Sequence, residues 1–280
     1  MKKIFIERIS ESVADLFIEA NTCLGADIRH ALVTGRAYET DPMPREVLKI
    51  ILENADIATK EQIPICQDTG MAVVFVSMGQ DVCITGGSLS QAIHDGVALG
   101  TRRGYLRASV VEDPLRRKNT GDNTPAIIHY DIVPGDQLTI TVAPKGFGSE
   151  NMSAVKMLMP ADGVAGMERF VLDTVQAAAS NPCPPIVVGV GVGGTMEKAA
   201  LLSKLALTRD LDQPHKDPFW AKQEEHLLHM INLLNIGPAG LGGHTTALGL
   251  NIEVYPTHIA GLPVAVNIGC HVTRHKTITL

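Results

Sequence analysis

Three cysteines stand in loops marked by proline or glycine, next to apolar runs. They are Cys66 in PICQDTGMAVVF, Cys183 in SNPCPPIVVGVGVGG and Cys270 in AVNIGCHVTRH. Loops at strand ends can present thiolates to one shared point, and thiolates are ligands for soft metal ions and for iron–sulfur clusters. No two of the five cysteines form a C-x-x-C pair, which argues against a zinc ribbon. The competing reading is that a cysteine in a fold is a small hydrophobe. Cys83, in the strand-like DVCIT, and Cys23, in NTCLG near a helix end, read that way. Three thiolates also suit a 4Fe–4S cluster in which one iron lacks a protein ligand, since such clusters normally take four cysteines. An open iron is a Lewis acid able to hold a carboxylate and a hydroxyl together, which is useful where hydroxide must leave beside a carboxylate.

A second candidate is the glycine run of VVGVGVGGTMEKAA, where Gly189, Gly191 and Gly194 fit G-x-G-x-x-G. A strand, a glycine loop and a helix follow in the order of a dinucleotide site. However, no strand-ending acid lies about 20 residues on to bind a ribose, because Asp210 and Asp212 follow a helix. A nicotinamide-dependent dehydrogenase is therefore disfavoured. Close strand–helix packing and an anion site at the helix start remain open.

The elements that must position these residues point to a mixed α/β (α+β) fold. Residues 4–59 carry helical spacing, with an amphipathic segment opening at Pro44. MAVVFVSMG is a strand, and SLSQAIHDGVALGTRRGY is a helix with a serine cap. AIIHYDIVPGDQLTITVAPKG reads as a β-hairpin turning at Pro134-Gly135-Asp136. SENMSAVKMLMPADGVAGMERFVLDTVQAAA reads as two helices broken near Pro160. PPIVVGVGVGG is a buried strand, TMEKAALLSKLAL a helix, and residues 218–235 a helix carrying Trp220. The tail alternates β-like runs with glycines. No repeat or flexible linker is visible. The expectation is one domain over 1–280 with a helical sub-region at 1–60, its helices packed around β-sheet elements and the cysteines held by loops at strand ends.

Composition narrows the function classes. With 45% apolar and 19% charged residues, a net charge of −6 and a pI near 5.9, the chain has the balance of a globular protein. It lacks the basic face that a nucleic-acid backbone attracts. No apolar run approaches the ~20 residues that span a bilayer. The N-terminus MKKIFIERISESVADLF meets Glu7 and Arg8 before an apolar core can form, so no export signal is expected. Five widely spaced cysteines do not make a disulfide framework, and the expected location is the cytoplasm.

Longer blocks carry a resemblance. ICQDTG, GYLRASVVEDPLRRKNTGDNTPAIIHYDIVPGD, APKGFGSENMSAVKML, CPPIVVGVGVGGTMEKAALLSKLAL and GLGGHTTALGLNIEVYPTHIAGLPVAVNIGCHVTRH resemble the class I, iron–sulfur fumarate hydratases. The chain resembles the α subunit of their two-subunit form, a close relative of the L(+)-tartrate dehydratase α subunit. The resemblance runs from about residue 20 to the end. It implies that Cys66, Cys183 and Cys270 ligate a 4Fe–4S cluster with one iron left open. It also implies that Gln67 and Asp68 line the substrate site, with Asp68 in proton transfer. Arg107 then binds a substrate carboxylate, Gly148 brings backbone near the substrate, and His258 stands at the active site. The chemistry of Arg107 agrees, because a guanidinium offers a planar fork to a carboxylate. His258 taken alone reads as a structural histidine, and only the resemblance raises it.

The resemblance implies reversible hydration of fumarate to L-malate, with L(+)-tartrate dehydration to oxaloacetate as the alternative. It further implies a separate β chain, in an α2β2 assembly, that brings more substrate-binding cations and a catalytic threonine. From another class, a metal-free dicarboxylate sensor or structural subunit could use the same scaffold, although the presence of all three cysteines speaks against it.

Overall fold

The computed structural model describes residues 2–280 as a mixed α/β chain, as the sequence leads one to expect. The elements begin with β1 (Lys2–Phe5), α1 (Ile6–Thr22), α2 (Ala26–Tyr38), α3 (Pro42–Glu61), β2 (Met71–Gly79), β3 (Val82–Thr85) and α4 (Leu89–Arg103). Next come β4 (Ile127–Val133), β5 (Leu138–Lys145), the short α5 (Phe147–Glu150), β6 (Ala154–Leu158), α6 (Gly163–Ala178), β7 (Ile186–Gly193) and α7 (Met196–Ala206). The chain closes with α8 (Pro218–Asn232), β8 (Ala247–Tyr255), β9 (Leu262–Gly269) and β10 (Lys276–Thr279). Two compact units interleave along it. The first holds residues up to 24, 54–147 and 274–280, and the second holds 25–53 and 148–273.

In the first unit, a four-stranded sheet of order β10-β5-β2-β4 is covered by α1 and α4. Ile9, Val13 and Phe17 recur at helical spacing on α1 and are fully buried with Val74, Ile140 and Val142 of the sheet. The helices approach closely because α4 puts glycines at the contact. A Cβ on Gly96 would lie 2.7 Å from the Ser10 carbonyl, and one on Gly100 2.9 Å from that of Ala14. The serine cap of α4 is present, Ser88 Oγ accepting from the Gln91 amide at 3.4 Å.

Two local expectations are corrected here. The segment 127–145 is not a hairpin, because β2 lies between β4 and β5, parallel to the first and antiparallel to the second. The Pro134-Gly135-Asp136 turn instead passes over the end of β2. There the Asp81 amide donates to the Gly135 carbonyl at 2.9 Å, and Gly79 leaves room that a Cβ, 2.3 Å from that oxygen, would fill. An apolar central strand satisfies both neighbours, which local turn chemistry cannot foretell. Likewise, the first half of 149–179 is not a helix. Ala154–Leu158 is the edge strand β6, paired antiparallel with β9, so sheet pairing overrides helical propensity. The short strand β1, pairing parallel with β3, also precedes the expected N-terminal helices.

The second unit is built on a sheet of order β6-β9-β7-β8. Its strand β7 is buried at every position and reads as a period of two. Ile186, Val188, Val190 and Val192 join the core with Val171 and Val175 of α6 and Leu227 and Ile231 of α8. The glycines between them face α7. A Cβ on Gly189 would lie 2.1 Å from the Ser203 carbonyl, and one on Gly191 2.0 Å from that of Ala199. The glycine run thus serves close strand–helix packing. Gly191→Ala is expected to cost about 3 kcal/mol through overpacking, read from the midpoint of urea unfolding. Gly261→Ala, whose methyl would meet nothing nearer than 3.9 Å, is the control and should stay within about 0.5 kcal/mol of the parent. Equal midpoints for the two variants would refute the packing role.

Candidate active site

In the first unit, the loop before β2 is fixed by its own backbone. Its approach is anchored at Ile65, whose amide donates to the Asn21 carbonyl at 2.9 Å and whose carbonyl accepts from Asn54 at 2.9 Å. Cys66 Sγ accepts from the Asp68 amide at 3.4 Å. Asp68 Oδ1 accepts from the Gly70 amide and Oδ2 from the Phe147 amide, both at 2.9 Å. Gly70 has φ 77°, and a Cβ there would lie 2.7 Å from the Lys145 carbonyl oxygen, so glycine is required at this turn.

The three carbonyls from residue 68 to 70 are all taken up by two buried side chains. Arg274 donates through Nη2 to the carbonyls of Asp68 (2.6 Å) and Thr69 (3.1 Å), while Asn123 donates through Nδ2 to that of Gly70 (3.0 Å). A locked backbone leaves the exposed Gln67 and the partly exposed Cys66 on the outer side. Arg107, just after α4 and the buried Leu106, is exposed, and its guanidinium has no ion-pair partner among the described residues. Asp122 lies nearby in sequence. Burial works to raise its carboxyl, but bonds from the Thr124 hydroxyl (2.7 Å) and amide (3.0 Å) hold it below the usual aspartate value.

In the second unit, antiparallel pairing of β7 with β9 brings the start of one beside the end of the other, Val187 opposite Gly269. Cys183, just before β7, and Cys270, just after β9, therefore meet at one end of the sheet. His271 Nδ1 donates to the Cys183 carbonyl at 2.8 Å and ties the two loops together. Cys270 Sγ accepts from the Val272 amide at 3.4 Å, the same two-residue pattern seen at Cys66. Cys183 is exposed and sits at φ 55°, a left-handed conformation that costs a non-glycine residue about 1 kcal/mol. Strain of this kind gathers at functional sites.

Gly148 shares that end. A Cβ on it would come within 3.9 Å of the Asn181 carbonyl. Its helix α5 is fixed to the sheet by Glu150, which accepts from Lys204 at 2.6 Å and from Asn267 of β9 at 3.1 Å. His258 does not join them. Strand β8 runs parallel to β7, so it leaves at the opposite end of the sheet from the cysteines, where Thr257 Oγ1 donates to the Gly194 carbonyl at 2.8 Å. His258 is exposed there, roughly 25 Å of strand from the cysteine pair.

Cys23 and Cys83 stay out of both loop sites. Cys23 follows α1, and Cys83 lies within β3. A cavity of about 780 Å³ in the second unit, bordered by His30, His229, His244 and Asn232, contains none of the eight predicted site residues. Among the described residues, no three His, Cys, Asp or Glu side chains gather to hold a metal ion. Sequence reasoning missed Asn123, Arg274 and His271. The amide in GDNTPA and the basic residues just after Cys270 were the only signals available.

The family model described as fumarate hydratase (Fumerase) matches residues 10–279. A putative L(+)-tartrate dehydratase subunit alpha from Methanocaldococcus jannaschii is 42% identical over 273 residues, covering 95% of each chain. The L(+)-tartrate dehydratase subunit alpha of Escherichia coli strain UTI89 is 33% identical over 281 residues, 99% of this chain and 92% of the other. That of strain K12 is 32% identical over the same span.

Proposed function

The chain belongs to the Fumerase family of fumarate hydratases, and on that premise we propose that it is the α subunit of an iron–sulfur hydro-lyase that interconverts fumarate and L-malate. The class of reaction, addition or removal of water, comes with the family and with the names of its relatives. The observation that carries the finer reading is the meeting of Cys183 and Cys270 at one end of a sheet, bound through His271. Cys66 is offered in the same manner by its own loop. Amide-to-sulfur bonds at Cys66 and Cys270 suit the thiolate ligands of an iron–sulfur cluster, whose properties depend on such bonds. Cys66, Cys183 and Cys270 would hold the cluster, whose open iron supplies Lewis acidity toward a carboxylate and a hydroxyl.

The chain's own residues do the remaining work. Arg107 presents a two-pronged donor to one substrate carboxylate, and Gln67 orients the substrate through its amide. Asp68 keeps lone pairs beyond its two backbone bonds and moves a proton. Gly148 lets the substrate approach the backbone. His258, a strand length from Cys183 and Cys270, is assigned to the active site on the resemblance alone, and the assembly is α2β2 in the cytoplasm. A separate β chain supplies the remaining cations and the catalytic threonine.

A second reading has its own support. The relatives matched over 92–95% of their lengths carry the name L(+)-tartrate dehydratase, so dehydration of L(+)-tartrate to oxaloacetate is the alternative. Assaying fumarate, L-malate and L(+)-tartrate on one anaerobic αβ preparation separates the two, and absence of water addition or loss with all three sinks both. Arg107→Lys in that complex keeps the charge and loses the fork. We expect kcat/KM to fall about a hundredfold or more with the unfolding midpoint unchanged. Normal kinetics would remove Arg107 from the site.

A further inference from the structure

We infer that Asn123 is a positioning residue that holds the Arg107 segment in register with the Cys66-Gln67-Asp68 loop. The inference rests on the substrate-binding roles proposed above for Arg107 and Gln67. Both segments lie in the first unit, and one buried side chain joins them. Asn123 is fully buried. Its Oδ1 accepts from the amide of Ser109, two residues after Arg107, at 2.8 Å. Its Nδ2 donates to the carbonyl of Gly70, two residues after Asp68, at 3.0 Å.

An uncharged amide is suited to this task because it offers an acceptor and a donor at once, one for each backbone group. Aspartate would keep the acceptor and lose the donor, setting a carboxylate against the Gly70 carbonyl. Asn123 also has φ 65°, a left-handed conformation that asparagine tolerates better than most residues.

The neighbouring contacts explain why this one side chain matters. After Arg107 the chain makes an excursion whose outgoing and returning arms pair with each other. The Thr120 amide donates to the Val110 carbonyl at 3.0 Å, and Asn119 Nδ2 donates to the Ala108 carbonyl at 2.9 Å. Val111 and Asn119 form an isolated antiparallel bridge. These bonds stiffen the excursion within itself without tying it to the loop that carries Gln67. Asn123 supplies that tie, so its loss should let Arg107 move as part of an intact arm.

Two variants and two readouts test this. Asn123→Gly keeps the left-handed backbone and removes both bonds, while Asn123→Asp removes only the donor. Hydrogen exchange is followed in a peptide spanning residues 106–111 of the αβ complex. We expect faster exchange at the Ser109 amide in Asn123→Gly, with β2 and α4 as protected as in the parent. In steady-state assays with the dicarboxylate that the parent turns over, KM should rise about tenfold in Asn123→Gly, with kcat changed less. In the Arg107→Lys background the same change should add almost nothing, because the two act through one contact.

Unchanged exchange at Ser109, or a KM effect that simply multiplies with that of Arg107→Lys, overturns the inference. So does normal KM in both Asn123 variants when Arg107→Lys is impaired. If Arg107→Lys itself behaves like the parent, the substrate pose proposed above fails, and the exchange result still decides whether Asn123 ties the two segments. A purely structural role would lower the unfolding midpoint and leave both KM and its coupling to Arg107 unmoved.

Discussion

Cys66→Ser, Cys183→Ser and Cys270→Ser are each expected to give colourless, inactive protein from anaerobic preparations that, for the parent, are brown with about four irons and four sulfides per chain. Cys23→Ser and Cys83→Ser should keep both colour and activity. The contrast follows from where each sulfur sits. Cys83 lies within β3, near its neighbour's carbonyl, and Cys23 is the C-cap of α1 beside the Thr22 hydroxyl, both half-buried. The other three stand in loops just before or just after a strand, Cys66 before β2, Cys183 before β7 and Cys270 after β9. Two of them accept an amide from two residues on, and the third is exposed beside a loop tied down by His271. Serine is close in size, so folding should survive, and the unfolding midpoint checks this. The ligand set is wrong if Cys83→Ser bleaches the protein while Cys270→Ser does not.

The loop setting of those three cysteines was legible in the sequence because proline and glycine mark the loops that hold them. Strand β7 was legible too, since its β-branched residues alternating with glycines and free of polar side chains fit a strand covered on both faces. What the sequence hid is set by distant pairing. Nothing local to 127–145 reveals that residues 71–79 will separate its two strands. Nor does the run 154–158 show that it will become an edge of β9. The same holds for the supports of the Cys66 loop. Arg274 reaches the Asp68 carbonyl across 206 residues of chain, and Asn123 reaches Gly70 across 53. In sequence each is one polar residue among many, and only the fold shows that three successive carbonyls depend on them. His258 is the opposite case. The resemblance marked it, and the parallel run of β8 carries it to the other end of the sheet from the cysteine pair.

The purified α chain, with its cluster intact, is expected to turn over fumarate or L(+)-tartrate at least about a thousandfold more slowly than the αβ complex. A C4 dicarboxylate has two charged ends, and on the proposed reading this chain offers one exposed guanidinium, Arg107, to one of them. Charge stabilisation and proton transfer each contribute orders of magnitude to such reactions, so a site missing the partner's cations and threonine loses most of its rate. On the proposed reading the β chain covers the segment around Arg107. Tyr105 and Leu115 are 92% and 91% exposed, and Tyr105 holds a left-handed φ of 51° while doing so. Adding the β chain should restore turnover and slow bleaching of the cluster in air, with both effects saturating at one β per α. Tyr105→Ser should weaken that saturation and leave the iron content of the α chain unchanged. Rapid turnover by the α chain alone would mean that its own residues complete the site, and the case for a divided active site would fall.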